Sequence, residues 1–160
     1  MKKLLAIASV LLLALLTPAC GRTADVASAL KVQVLSTGWH DAAGVPGRNK
    51  IVPSASIRVK NVSDRSLPSV QVNAVFRRVG EVGEWGSAFA AAGSSGLTPG
   101  ADATLTLNSE RGYTGEDPQE VMLSNRQFVD VTVDVFAKYG SAQWTRLGAF
   151  PIDRQFLRQP

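Results

Sequence analysis

The chain reads as an all-β domain of about seven short strands, arranged as two antiparallel sheets packed face to face, with one short crossover helix and a signal peptide ahead of it. Three observations predict this. Apolar and polar residues alternate at period two over most of the length; clusters of Gly, Pro, Asn, Asp and Ser break the runs at intervals of roughly ten residues; and positions 1–19 pass from basic to apolar to small. A strand wet on one face and dry on the other needs a second sheet to cover its dry face.

The N-terminal segment consists of Met1-Lys2-Lys3, an apolar run from Leu4 to Leu16, and Thr17-Pro18-Ala19. As a helix the apolar run would reach only about 20 Å, short of the roughly 30 Å hydrocarbon core, which favours a cleaved secretory signal over a membrane span. Cys20, the one cysteine, follows at once. At an ordinary cleavage site it would be left as an unpaired thiol in an oxidising compartment. The alternative is covalent modification. Ala19-Cys20 resembles the lipobox of bacterial lipoproteins, in which a small residue precedes a cysteine that receives a diacylglyceryl group and becomes the mature N-terminus. The resemblance implies lipidation at Cys20, a bacterial cell envelope location and a membrane anchor. Two or three acyl chains at about 0.8 kcal/mol per buried methylene hold such a protein on its membrane. Gly21 in place of aspartate resembles the pattern that sends lipoproteins to the outer membrane, where the domain would face the periplasm.

Removing positions 1–19 from the 160 leaves 141 residues, enough for one domain with a core of its own. The formal charge of +4 includes Lys2 and Lys3, so the mature chain carries 15 basic and 13 acidic side chains. Only Arg77-Arg78 are adjacent basic residues after the signal, which argues against nucleic acid as a partner.

Positions 20–29 are small and polar and read as the lipidated tether, with the β-sandwich domain over 30–156. In the first strand Leu30, Val32 and Val34 oppose Lys31 and Gln33; in the second Ala55, Ile57 and Val59 oppose Arg58 and Lys60; in the third Val70, Val72, Ala74 and Phe76 oppose Gln71, Asn73 and Arg77. A run from Trp85 to Ala91 is strand-like without clean alternation. Ala103, Leu105 and Leu107 form a further dry face, and the longest alternation runs from Val129 to Ala137, with a last candidate over Ala142 to Phe150. Turn chemistry separates them: Asn61 to Pro68, Leu97-Thr98-Pro99-Gly100 as a type II turn, and Tyr139-Gly140-Ser141 as a tight hairpin. Between Ser109 and Gln127, Asp117-Pro118-Gln119-Glu120 reads as a capping-box variant with Asp117 as the cap, opening a short helix that crosses between the sheets and stops near Asn125.

The stretch Ile57 to Ser63, the run Val70 to Phe76 and the later Leu97-Thr98-Pro99-Gly100 resemble bacterial extracytoplasmic immunoglobulin-like domains, nearest to the FxLYD type, over residues 50–108. The resemblance implies an immunoglobulin-like β-sandwich.

Few groups here could carry chemistry. The single histidine, His40, adjoins Asp41, but neighbours on a strand point to opposite faces, so His40 reads as a structural residue beside Trp39. Zinc sites need several Cys or His. Glu116, Asp117 and Glu120 are close in sequence without a calcium-loop pattern, and no phosphate-binding glycine loop is present. No cofactor is expected. Asp130 and Asp134 read as the solvated side of a strand, and Asn61-Val62-Ser63 as a turn rather than a glycosylation site. Trp39, Trp85 and Trp144 are expected to plug the ends of the sandwich.

Phe128 and Phe136 fall, by alternation, on the wet face of Asp130 and Asp134. They are either covered by a loop or tether of the domain itself or form a patch that binds a partner. The function expected is therefore non-catalytic: a lipid-anchored interaction or envelope-assembly module with a protein partner, the alternative being a lipoprotein that binds a small ligand or glycan in an aromatic-walled pocket.

Overall fold

The computed structural model describes residues 25–42, 44 and 46–157; the signal peptide over 1–19, Cys20 and the first half of the tether lie outside them. A helical turn α1 (Val26–Ala29) leads into eight strands, β1 (Leu30–Ala42), β2 (Asn49–Asn61), β3 (Gln71–Arg78), β4 (Gly86–Ala91), β5 (Asp102–Asn108), β6 (Tyr113–Gly115), β7 (Val131–Lys138) and β8 (Thr145–Pro151), with a helix α2 (Gln119–Ser124) between β6 and β7. One sheet runs β1-β2-β5 with β6 continuing along β2; the other runs β4-β3-β7-β8, and all these pairings are antiparallel. In immunoglobulin letters this is A-B-E against C′-C-F-G.

The dry faces meet as the alternation requires. Ile57 and Val59 of β2, Val72, Ala74 and Phe76 of β3, and Val133, Val135 and Ala137 of β7 are wholly buried. Each such side chain contributes about 1.5 to 3 kcal/mol relative to exposure, alanine less. β7 keeps a strict alternation of buried and half-buried positions over its length.

Four sequence expectations need correction. Residues 25–29 are not free tether: Asp25 accepts the Ser28 N–H as an N-cap, and Val26 and Ala29 are buried in the core. β1 and β2 extend well past the alternating runs into a long hairpin, pairing from Leu30↔Asn61 to Ala42↔Lys50. The connection after β5 holds a short strand, β6, paired with Asn49 to Ile51. The cap of α2 is Pro118 rather than Asp117, with extended backbone and no side-chain cap bond, so proline lies just outside the helix. The Asp117 carbonyl is instead held by the side chain of Asn49, at 2.9 Å. The helix still stops at Asn125 and still crosses from one sheet to the other.

Two other crossings between sheets, β2 to β3 and β4 to β5, meet at the opposite end around Asn61. Its side chain is fully buried. Nδ2 donates to the carbonyls of Arg65 and Leu97, at 2.7 and 2.9 Å, and Oδ1 accepts from the N–H and hydroxyl of Ser63, at 2.9 and 2.7 Å. Its backbone donates to Ala101 and accepts from Gly100. Beside it Leu67 and Leu97 exchange backbone hydrogen bonds of 2.9 Å. Gly96, at φ 90°, has no room for a Cβ, which would strike the Leu67 carbonyl. The Thr98-Pro99-Gly100-Ala101 turn closes with Ala101 N–H donating to Thr98, at 3.0 Å, and Gly100 at φ 78°, as a type II turn requires. A buried amide so committed is not presented as a glycan acceptor.

Asn61→Ala leaves two carbonyls and a backbone N–H short of partners and is expected to cost about 3 kcal/mol, a fall in Tm on the order of 10 °C. Asn61→Asp, although the same shape, aims a carboxylate at two carbonyl oxygens and should be at least as damaging. Thermal melts followed by circular dichroism check both, and an Asp variant as stable as the parent would refute this account of the crossing.

Candidate interaction face

The side chains able to carry chemistry are dispersed or committed. His40 is half-buried, its Nδ1 has no hydrogen-bond partner among the described residues, and burial lowers its pKa against the opposing charge of Asp41 and a hydrogen bond with the Val52 backbone. Asp41 beside it is exposed. Glu116, Asp117 and Glu120 are exposed too, and among the described residues no group of three or more His, Cys, Asp or Glu could hold a metal ion.

Aromatic residues gather at the end of the sandwich near α2. Trp39, wholly buried, meets Phe128 edge-on at 4.8 Å and Tyr113 and Trp85 at 5.6 and 6.3 Å; Tyr113 also stacks near Phe128 at 4.9 Å. Arg154 lies 4.9 Å over the Phe128 ring and Arg78 5.7 Å over Trp85, cations closing the cluster from outside. Trp39 and Trp85 thus plug one end as expected, but Phe128 is part of the same plug. At 9% exposure it is covered almost entirely by its own domain, so it is packed as part of the plug rather than set on the outer sheet face beside Phe136. The alternation that placed it beside Phe136 fails because β7 starts only at Val131. A cleft of about 280 Å³ between β6 and α2 touches Tyr113, Met122 and Phe128 beside Asp117, Asn125 and Gln127. It is just below the usual lower limit for ligand pockets.

Phe136 does lie on the outer face of the β4-β3-β7-β8 sheet, half-buried. Across the sheet its row runs Phe89, Asn73, Phe136, Arg146, and the next row toward the β7–β8 hairpin runs Ala91, Gln71, Lys138. Two aromatics not singled out as binding residues complete the face. Phe89 is 62% exposed and Trp144, in the hairpin, 40% exposed. Their rings meet edge-on at 6.1 Å and 78°, so Trp144 folds back across the sheet toward β4, with the Lys138 ammonium 5.0 Å from its ring. This overturns Trp144 as an end plug. Phe89 was hidden from pattern reading by its setting, Gly86-Ser87-Ala88-Phe89-Ala90-Ala91, where small residues on both faces blur the alternation.

Beside the aromatics Asp134 bridges two strands. Its carboxylate accepts from Arg77 Nε at 3.0 Å and from Arg146 Nη2 and Nε at 2.6 and 2.9 Å, and its side chain is only 14% exposed. It is not the freely solvated charge the sequence suggested. Burial alone would raise its pKa, but the hydrogen bonds from Arg146 and Arg77 together outweigh burial and hold it below the usual carboxylate range. Counting Arg77, Lys138 and Arg146 against Asp134, the face keeps an excess of two positive charges.

No protein-family model matches the chain, and no curated protein does. Among solved structures the chain is similar to the X-ray structure of Northeast Structural Genomics Consortium target SoR45, with 15% identity and a TM-score of 0.42 over 80% of this chain and 89% of that one. It is also similar to a solution structure of a protein from Arabidopsis thaliana, with 12% identity and a TM-score of 0.44 over 81% and 83% of the two chains.

Asp134, Asp130, whose pKa is lowered by its hydrogen bonds from Arg154, and His40 all contribute to the pH dependence of stability. With its folded pKa depressed, Asp134 contributes above the unfolded value near 3.9, and the contribution is lost as pH falls through the lower folded value. His40, also depressed, makes stability fall as pH drops below about 6.5 toward its folded value, because there the unfolded chain binds the proton more readily. Asp134→Asn should therefore cost about 1 to 2 kcal/mol at pH 7 and flatten the acid limb below about pH 4, leaving the His40 limb unchanged. Urea midpoints measured from pH 3 to pH 8 test this; an unaltered acid limb would remove Asp134 as a source of it.

Proposed function

We propose that this chain is a lipid-anchored, non-catalytic interaction module of a bacterial cell envelope, held at the outer membrane through Cys20 and facing the periplasm. Its protein partner docks on the outer face of the β4-β3-β7-β8 sheet. The supporting observation is that Phe89 and Trp144, the two aromatic rings among the exposed large apolar side chains of the described residues, lie side by side on this face. Burying such rings is worth about 1.5 to 3 kcal/mol each, a driving force that water leaves unused in the free domain. The surplus of positive charge around them favours a partner surface with apolar residues bordered by carboxylates. A glycan is the poorer fit, because a sugar face stacks on a flat ring and these two rings stand nearly at right angles.

Two measurements test the reading. Cys20→Ala should leave the precursor uncleaved or release the protein from membranes; a correctly cleaved variant that still partitions with membranes would refute the anchor. Phe89→Ser with Trp144→Ser should abolish co-purification of an envelope protein while lowering Tm by less than about 5 °C, since exposed rings contribute little to the fold. Retention of the partner by the folded double variant would refute the docking face.

A further inference from the structure

The other outer face, that of β1-β2-β5, has a different character. Lys31 stands directly opposite Lys60 in the β1–β2 register, and Arg58, opposite Gln33, follows on the same face. All three are exposed and border a depression of about 300 Å³ with Gln33 and Asp102. Like charges placed opposite each other on a sheet are destabilising. Although Lys60 is in register with Asp102, none of the three cations has an ion pair among the described residues. This contrasts with the second sheet, where Asp134 holds Arg77 and Arg146.

The position of these cations gives them a use. β1 starts directly after α1, whose Val26 and Ala29 are locked in the core, so the chain cannot pivot between them. Only positions 21–24 separate Asp25 from Cys20, a reach of less than about 18 Å even fully extended. We propose that the Lys31 end of the β1-β2-β5 face seats the domain on anionic phospholipid headgroups, turning the Phe89 and Trp144 face away from the bilayer. This rests on the lipid anchor proposed above. An anionic leaflet draws each nearby Lys or Arg with roughly a fivefold bias, acting within a Debye length of about 8 Å. With Asp102 opposing three cations, the net bias is roughly 25-fold. Lys138 on the opposite face cannot share it, since the two outer faces of a sandwich cannot lie on one plane together.

The chain from Cys20 onward, coupled through that thiol to a maleimide lipid, is placed on phosphatidylcholine vesicles with or without phosphatidylglycerol. The acetylation rate of each lysine is then read by mass spectrometry. Lys31 and Lys60 should react about tenfold more slowly on the anionic vesicles at low salt, recovering near 1 M salt, while Lys50 and Lys138 stay unchanged. Asp102→Asn should deepen the protection and Arg58→Gln lessen it. Equal rates at Lys31 and Lys60 on both vesicles would overturn the proposal, as would protection of Lys138, which would put the aromatic face down. So would equal protection by inorganic phosphate on neutral vesicles, the mark of a small-anion site. Because chemical coupling replaces cellular acylation, these failures count against the basic face alone, whereas an unacylated Cys20 in cells counts against the anchor alone.

Discussion

The architecture depends most on one buried amide. A sandwich of this order must pass the chain from one sheet to the other three times, and two of those passages, β2 to β3 and β4 to β5, come together at Asn61. Each passage carries backbone groups that the dry core cannot satisfy. Asn61 answers with all its polar capacity: two donors to the carbonyls of one residue in each connection and one acceptor to Ser63, fixing the end of β2 as it does so. The Leu67–Leu97 bridge then ties the two connections to each other. An apolar residue at position 61 would fill the space but leave the crossings without partners, whereas a serine would be too short to reach both carbonyls.

With that corner fixed, the register of both sheets follows, and with it the contrast between their outer faces. β7 must present Val131, Val133, Val135 and Ala137 inward, so Asp134 and Phe136 face out. β3 does the same with Asn73 and Arg77, which brings Arg77 alongside Asp134. On this face Asp134 is shared between Arg77 and Arg146, two positive charges remain in excess, and aromatic area is left uncovered. On the β1-β2-β5 face Lys31, Arg58 and Lys60 form no ion pair among the described residues, and the uncovered groups are cations. The difference arises from which residue types occupy outward positions, since the inward stripes of the two sheets are chemically alike.

How much of this was legible in the sequence depended on how cleanly each strand is half wet. β3, β5 and β7 alternate because one face of each meets solvent, and they were found. β1 and β2 near Trp39 do not alternate because both faces are covered there: Val52 and Ser54 are as buried as Ile51 and Ala55, while the C-terminal segment pairs with Trp39 along the edge. The same limit explains the exchange of aromatics in the candidate site. Phe136 lies inside a regular strand and its face was read correctly. Phe128 lies just before the strand, where period two no longer predicts direction, and its ring turns into the core. Phe89 could have been flagged only as a large ring in a run of Gly, Ser and Ala with nothing beside it large enough to cover it, a cue about neighbours rather than about period. Trp144 depended on a hairpin folding back, which no local pattern encodes.

The interior of the described domain is filled by interlocking valines and by an aromatic plug, and its one histidine is half-buried beside that plug. Under the proposed function, its capacity to act lies in the faces and in the direction they point. Free in solution, the two faces would sample all directions alike, and a modest aromatic patch would meet partners only at the rate that diffusion and area permit. Under the proposed anchor a tether of a few residues changes that, because it holds the Lys31 end of the domain near the bilayer and so selects which cations meet it. Under the proposed anchor, the unpaired cations by Lys31 are thus more than excess charge left on a strand. They are the cheapest means by which a small sandwich can give its aromatic face a constant direction without another domain to hold it.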